Sequence, residues 1–514
     1  MKRTFLVTSF ILSGVLALSL STVLNGCKSK PAGVYELTGD TLADGKALVQ
    51  QHCTKCHSLV PAGALTKQVW TVHTLPLMAK YFGIKTYGID YYKTDNDTSG
   101  LSLQHWGAIV DYYKKLAPDT LMPAKRPMPL VNDWAGFTLK KAPRKNDICF
   151  TTVVAADPKG SKIYTGDAVA LNLTGWDAQF KTTSAIGLPS AAVDVNFDTD
   201  SAGLSQAIVS CIGRLDAIDF PNGKVFKTNL SGKGELVQIQ SDLPRPVQTV
   251  NADFDKDGRK EVIVLAAGNT KGGLYQFKPT TDGKSFKQTI INERPGAVQA
   301  ITVDYNHDGW LDMMILYGAV DEGLTLYLNN KHGGFAAHEL LKFPPVNGST
   351  SFQLTDIDHD GNLDLIYTCG YNFRESRILK PYHGLYIFKN TGNFNFKQTW
   401  FYPVNGCTKA IAQDFDGDGD IDIATIAFFA DMKNNPAEEF IYFEQTGASK
   451  FIPHGVPVSK NGRWMTMNVS DLNQDGKPDI ILGNYAAGFL FQPNFMPNWD
   501  EHTPFVVLEN HITK

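Results

Sequence analysis

Two patterns of side chains in this 514-residue chain have the types and spacing to do chemistry. The first is Cys53-Thr54-Lys55-Cys56-His57. Thiols at i and i+3 share one helical face, where both can add to the vinyl groups of a porphyrin, and the histidine that follows offers an imidazole to the iron. This is the spacing of covalent c-type haem attachment. A thioredoxin-like dithiol and half of a zinc site use the same Cys-x-x-Cys unit. The first lacks a strand-helix-strand context here, and the second lacks another Cys/His pair at zinc spacing.

The second pattern is a row of oxygens: Asp253, Asp255, Asp257 and Glu261, with Gly258 at the sixth position. It recurs as Asp304, Asn306, Asp308 and Asp312; as Asp356, Asp358, Asp360 and Asp364; as Asp414, Asp416, Asp418 and Asp422; and as Asp471, Asn473, Asp475 and Asp479. Hard oxygens at positions 1, 3, 5 and 9, folded back by the glycine, converge on one cation, and calcium is the ion expected. An EF-hand does not account for them. Position 12 is Val264, Ile315, Tyr367, Thr425 or Leu482, and an apolar strand-like run follows instead of a helix. Acidic turns without metal are the alternative, and recurrence of the same grammar weighs against it.

The haem motif closes a helical pattern that starts at Asp44. A second helix follows the N-cap Ser102, with Trp106, Ile109, Val110 and Tyr113 at i, i+3, i+4 and i+7, and stops before Pro118. With the attachment motif at the end of the first helix, residues 40–118 resemble the class I monohaem cytochromes c, an all-α fold. The resemblance implies that the last helix packs across the first and that a methionine between them is the sixth iron ligand. Met78, in Leu75-Pro76-Leu77-Met78, stands there; Met122, His73, His105 and Met128 are the alternatives. A thioether ligand raises the potential and suits electron transfer.

The acidic rows start 51, 52, 58 and 57 residues apart, so one structural unit is reused. Two degenerate copies precede them, Asp198-Thr-Asp200-Ser-Ala202-Gly203 and Asp157-Pro-Lys-Gly160, which keep the turn but lose ligands, so no metal is expected at either. Seven units of about 53 residues suit four short strands each, set radially so that sheet edges are protected. On their acidic loops, residues 148–514 resemble the FG-GAP or VCBS repeats of integrin-α-like β-propellers. In that family such a loop joins two strands of a blade and binds calcium structurally. The expected fold is multidomain: a small all-α cytochrome c domain, a Pro-rich linker over 119–147, and an all-β, seven-bladed β-propeller over 148–514.

Residues 1–26 place Lys2 and Arg3 before an apolar run from Phe5 to Leu24, the layout of an export signal. The run ends in Leu24-Asn25-Gly26-Cys27, which resembles the lipobox of bacterial lipoproteins. That resemblance implies a signal peptide over 1–26, lipidation of Cys27, a tether over 27–39 and, with Lys28 next, the outer membrane. An uncleaved anchor is the alternative, since about 20 apolar residues span a bilayer. Export also suits c-type haem attachment, which takes place outside the bacterial cytoplasm.

Lysine and arginine total 48 against 52 acids, or 46 against 52 without Lys2 and Arg3, which argues against a charge-driven nucleic-acid binder. Cys149, Cys211, Cys369 and Cys407 fit either disulfides or buried thiols. The reading is a membrane-anchored c-type cytochrome that passes single electrons to a redox partner protein, with a calcium-stabilised propeller that binds a partner or a cell-surface glycan. A propeller dehydrogenase feeding the haem from a small substrate is the rival; eight tryptophans at no blade period do not make the docking repeats of quinoprotein propellers. A calcium-dependent adhesion module would leave the Cys-x-x-Cys-His motif unexplained. An irregular insertion at 371–380 runs into Pro381-Tyr382-His383-Gly384, which reads as a turn, with part of a ligand rim as the alternative; 428–436 is a second irregular insertion, and loops are where propellers carry specificity.

Overall fold

The computed structural model describes residues 35–513 except 88–90, 95–100, 159–161, 200–204, 217–218, 232–234, 284, 373–377, 489–491 and 493. The export signal, Cys27, most of the tether, Gly160 and residues 200–203 therefore lie outside the described residues.

The second strand of each acidic repeat is buried on both faces, as in Glu261–Ala266, Asp312–Tyr317, Asp364–Cys369 and Asp479–Asn484. This explains the unbroken apolar runs after each acidic row. Neighbouring residues of such a strand serve opposite seams. Val262 and Val264 pack towards the preceding blade, while Ile263 and Leu265 pack towards the next. Met313 and Ile315, then Met314 and Leu316, repeat the scheme one blade later. Each of the seven seams is one buried apolar cluster.

The result is seven four-stranded antiparallel sheets, a seven-bladed β-propeller. The blades span 151–187, 192–243, 246–292, 297–342, 349–403, 409–455 and, for the seventh, 464–510 with a strand from elsewhere. The first strand of each blade packs on the first strand of the next, which places these strands around the axis. All acidic rows then lie on one face, between first and second strands. The opposite face carries the loops between second and third strands, which are longest in the second, fifth, sixth and seventh blades.

The seventh blade corrects the expected boundary. Its fourth strand is Phe137–Lys141, paired antiparallel with Phe505–Asn510, so part of the stretch read as linker closes the ring. The rest of that stretch is anchored as well. Arg126 ion-pairs with Glu438, Met128 and Leu130 pack on the seam between the fifth and sixth blades, and Asp133 lies 2.8 Å from His454 Nδ1.

Residues 35–118 fold around a separate core. Asp40 caps the first helix, Thr41–His52, and Ser102 caps the last, Leu103–Leu116. The two cross closely at Gly45, where a Cβ would lie 2.2 Å from Tyr112 Cβ. This part is not all-α: a hairpin of Ile84–Tyr87 and Tyr91–Thr94 follows short helical turns. Gly83, at φ 67°, ends the last of those turns, and the β-branched and aromatic residues after it favour strand.

The helical part sits on the propeller face opposite the acidic rows. Tyr382 Oη donates to the Ala64 carbonyl at 3.0 Å, and Val346 and Ile378 pack against the helical core.

Candidate functional site

The first helix ends at His52 and passes into a 3₁₀ turn, Cys53–Lys55, which carries the Cys-x-x-Cys-His motif. Cys53 is half-buried, and burial raises its thiol to about 11; Cys56 is exposed. His57 Nδ1 lies 2.8 Å from the Ser58 carbonyl. A carbonyl only accepts, so Nδ1 holds the proton and Nε2 keeps its lone pair for a metal. Cys53, Met78 and Phe82 all pack against the same apolar cluster. Two buried nitrogens there, His52 Nδ1 and Trp106 Nε1, have no hydrogen-bond partner among the described residues. Their rings flank Phe82 at 6.2 and 6.0 Å. Two thiols and an imidazole in one motif, with Cys53 and the Met78 thioether on one apolar cluster, are the donor types that a covalent haem would need.

The other candidate sixth ligands are placed differently. Met122 is 79% exposed, and Met128 packs on the propeller instead of the helical core. His105 is buried 6.5 Å from the Tyr35 ring, and His73 lies half-buried in the turn Trp70–Thr74. Gly45 escaped sequence reasoning, although a glycine inside a helix is a signal of close packing.

The acidic rows share one geometry. The carboxylate at position 1 accepts from two backbone N–H groups of its own turn at 2.7 to 3.2 Å. Position 4 is left-handed at Lys256, His307, His359, Gly417 and Gln474, and position 6 is a left-handed glycine throughout. The position-9 carboxylate is buried and accepts from the N–H of position 2. In the last four blades its second oxygen accepts from Asn329, Asn390, Gln445 or Asn510 N–H, which latches the turn to the third strand. Burial raises these carboxyls, Asp422 to about 6.

The third blade departs from this latch. Pro279 stands where the others present an N–H, and Glu261 Oε1 has no hydrogen-bond partner. Asp253, Asp255, Asp257 and Glu261 each bring one oxygen within 4.8 Å of the rest. Asp356, Asp358 and Asp360 do the same, as do Asp414, Asp416 and Asp422. Two ligands on one calcium stand at most about 5 Å apart, so the spacing of these oxygens is within what one ion requires. The Asp304 and Asp471 rows carry less charge, and Asn306 and Asn473 donate to Asp308 and Asp475 at 3.1 Å.

On the opposite face, Tyr371, Phe428 and Phe429 of the two insertions join Phe150, Leu215 and Tyr485 in an aromatic cluster drawn from five blades. Loops from these blades thus meet on this face. Beside them a cavity of about 370 Å³ opens between the first, second and seventh blades, lined by Leu171, Ser190, Arg214, Asp216 and Tyr485. No motif in the sequence marks it. The four propeller cysteines are buried, unpaired thiols.

Beneath the helical part, Tyr382 leads into His383, which is buried with Nε2 unpartnered. Burial, then the Lys380 charge, holds its imidazole well below 6.5. A base depressed in the folded state binds fewer protons than in the unfolded chain, so stability falls as pH drops below 6.5. Urea unfolding at pH 7 and pH 5 should show it, and His383→Gln should flatten that slope.

Residues 253–315, from the acidic row of the third blade into the second strand of the fourth, match the FG-GAP-like repeat family. No curated protein matches the chain. Similar solved structures include virginiamycin B lyase from Staphylococcus aureus, 9% identical, covering 73% of this chain and 99% of that one, with a TM-score of 0.44. The N-terminal domain of Nup159 is 12% identical, covering 75% and 99%, with a TM-score of 0.43. A protein from Lactobacillus plantarum is 14% identical, covering 61% and 84%, with a TM-score of 0.38.

Proposed function

We propose that this chain is an exported, lipid-anchored c-type cytochrome of the outer membrane, fused to a calcium-stabilised propeller, and that it passes single electrons to a redox partner protein. The observation that carries the reading is the His57 ring: it follows two cysteines at attachment spacing and has Nδ1 committed to Ser58, which leaves Nε2 to an iron. Cys53 and Cys56 would hold the haem covalently, with Met78 as its sixth ligand. When bound, the haem supplies a one-electron couple. The chain's own Leu48, Val49, Trp106 and Ile109 core would exclude water beside the group, and the exposed Cys56 is the thiol a partner could approach. Cys27 would tether the assembly, and the propeller would take a protein or a cell-surface glycan.

The test is anaerobic visible spectroscopy of the oxidised holoprotein. Reduction by small reduced cytochromes, with none by sugars or alcohols, supports the carrier; rapid reduction by a small substrate overturns it in favour of an oxidoreductase. The cavity on the face that carries the helical part is the one observation favouring that second reading.

Calcium at the acidic rows would stabilise the folded state by mass action, about 2.7 kcal/mol per site at a hundredfold excess over Kd. Chelation should therefore lower the propeller's melting temperature, and elemental analysis should find bound calcium.

A further inference from the structure

The five acidic rows are not equivalent, and the difference lies on the third strand of each blade. In strand register, the residue after position 9 pairs as Val262 with Phe277, Met313 with Tyr327, Leu365 with Phe388, Ile423 with Phe443 and Ile480 with Leu508. One residue beyond each partner stand Lys278, Leu328, Lys389, Glu444 and Glu509. The same position is thus cationic in the third and fifth blades, apolar in the fourth and anionic in the last two.

The lysines reach the oxygens a metal would use. Lys278 Nζ contacts Asp255, lies 2.7 Å from Asp257 and stands 3.7 Å from Glu261 Oε1, the buried oxygen that lacks any hydrogen bond. Lys389 Nζ contacts Asp358 and lies 3.2 Å from Asp360. In the seventh blade the equivalent Glu509 lies 3.4 Å from Asn473 Nδ2 and is itself met by Lys140 at 3.3 Å and His511 at 3.1 Å. In the fourth, Lys331 comes from the following turn and meets Asp308 alone, at 3.1 Å. The degenerate second blade goes furthest: Asp198 is met by Lys227 at 3.4 Å and Lys260 at 2.9 Å.

We propose that Lys278 and Lys389 are built-in cations that close the rows of the third and fifth blades without a metal. An ammonium at the centre of a row competes with the ion for the same oxygens, and like charges cannot share the space. That calcium enters once the lysines are removed rests on the calcium reading above. The role of the two lysines as counter-ions does not.

The experiment compares wild type with the Lys278→Met, Lys389→Met double variant, each stripped with EGTA and then equilibrated at fixed free calcium. Both lysines are about one-third exposed, so methionine keeps their stems packed. In EGTA the double variant should melt lower than wild type. In calcium it should recover and bind about two more ions per chain by elemental analysis. The reverse swap, Glu444→Lys, should lose about one ion. Equal melting in EGTA together with equal calcium content would overturn the proposal. A lower melting temperature in EGTA with no calcium uptake by any variant would keep the lysines as counter-ions and refute the calcium reading instead.

Discussion

On the haem reading, replacing Cys53 and Cys56 together by alanine should remove all covalently held haem from a chain exported by a host that matures c-type cytochromes. The two thioethers are the only covalent links the motif offers, so the effect is a loss and not a shift. The measurement is the pyridine haemochrome spectrum after acid-acetone extraction, in which non-covalent haem leaves and covalent haem stays with the protein. The wild type should retain one haem per chain and the double variant none. Haem that survives extraction in the double variant would refute the attachment reading. A wild type that retains no haem but carries zinc would return the Cys-x-x-Cys unit to its metal-site alternative. His57→Ala separates attachment from ligation: it should keep covalent haem while changing the iron spectrum, because Nε2 is the atom withdrawn and both thiols remain. Met78→Ala should act on the spectrum alone; if a methionine-ligated spectrum persisted, the choice of Met78 would fail.

What the sequence could and could not reveal follows the range of the interactions. The acidic rows were legible because turn, glycine and oxygens lie within nine residues, and position 4 takes the left-handed conformation whether it is Lys256, His359 or Gln474. The propeller was legible because the rows repeat at blade spacing. The strand Phe137–Lys141 was not, since its partner Phe505–Asn510 lies at the other end of the chain and the prolines and lysines around it dilute the alternation. The hairpin after Gly83 was hidden by the expectation of an all-α domain. The position-9 carboxylates were read as ligands only. Their second task, holding an N–H of the third strand, depends on a residue 17 to 31 positions away in the last four blades. The lysines of the third and fifth blades are likewise invisible without strand register.

The ring closure carries the other large effect. Phe137 is 4% exposed and meets the rings of Phe415 and Tyr442 at 6.5 and 5.3 Å, within the seam between the sixth and seventh blades. Leu139 pairs with Leu508 in the same strand and packs against that cluster. A propeller is held by its last blade, because any seam that opens exposes two apolar faces at once and leaves a sheet edge unpaired. Phe137→Ala therefore removes a buried ring from the strand that completes the seventh blade with a segment preceding the first. The expected cost is about 3–5 kcal/mol, from lost burial and the cavity left behind. Phe220→Ala is the control: that ring is 60% exposed, and its loss should stay within about 0.5 kcal/mol. Urea unfolding followed by tryptophan fluorescence reads both, because Trp464 and Trp499 lie in or beside the sixth and seventh blades. If the two variants unfold at the same midpoint, residues 137–141 are only laid against the seventh blade and the ring closes without them. If Phe137→Ala alone unfolds early, the stretch between the helical part and the first blade is the clasp of the propeller, and strain on the helical part is transmitted directly to the seam it closes.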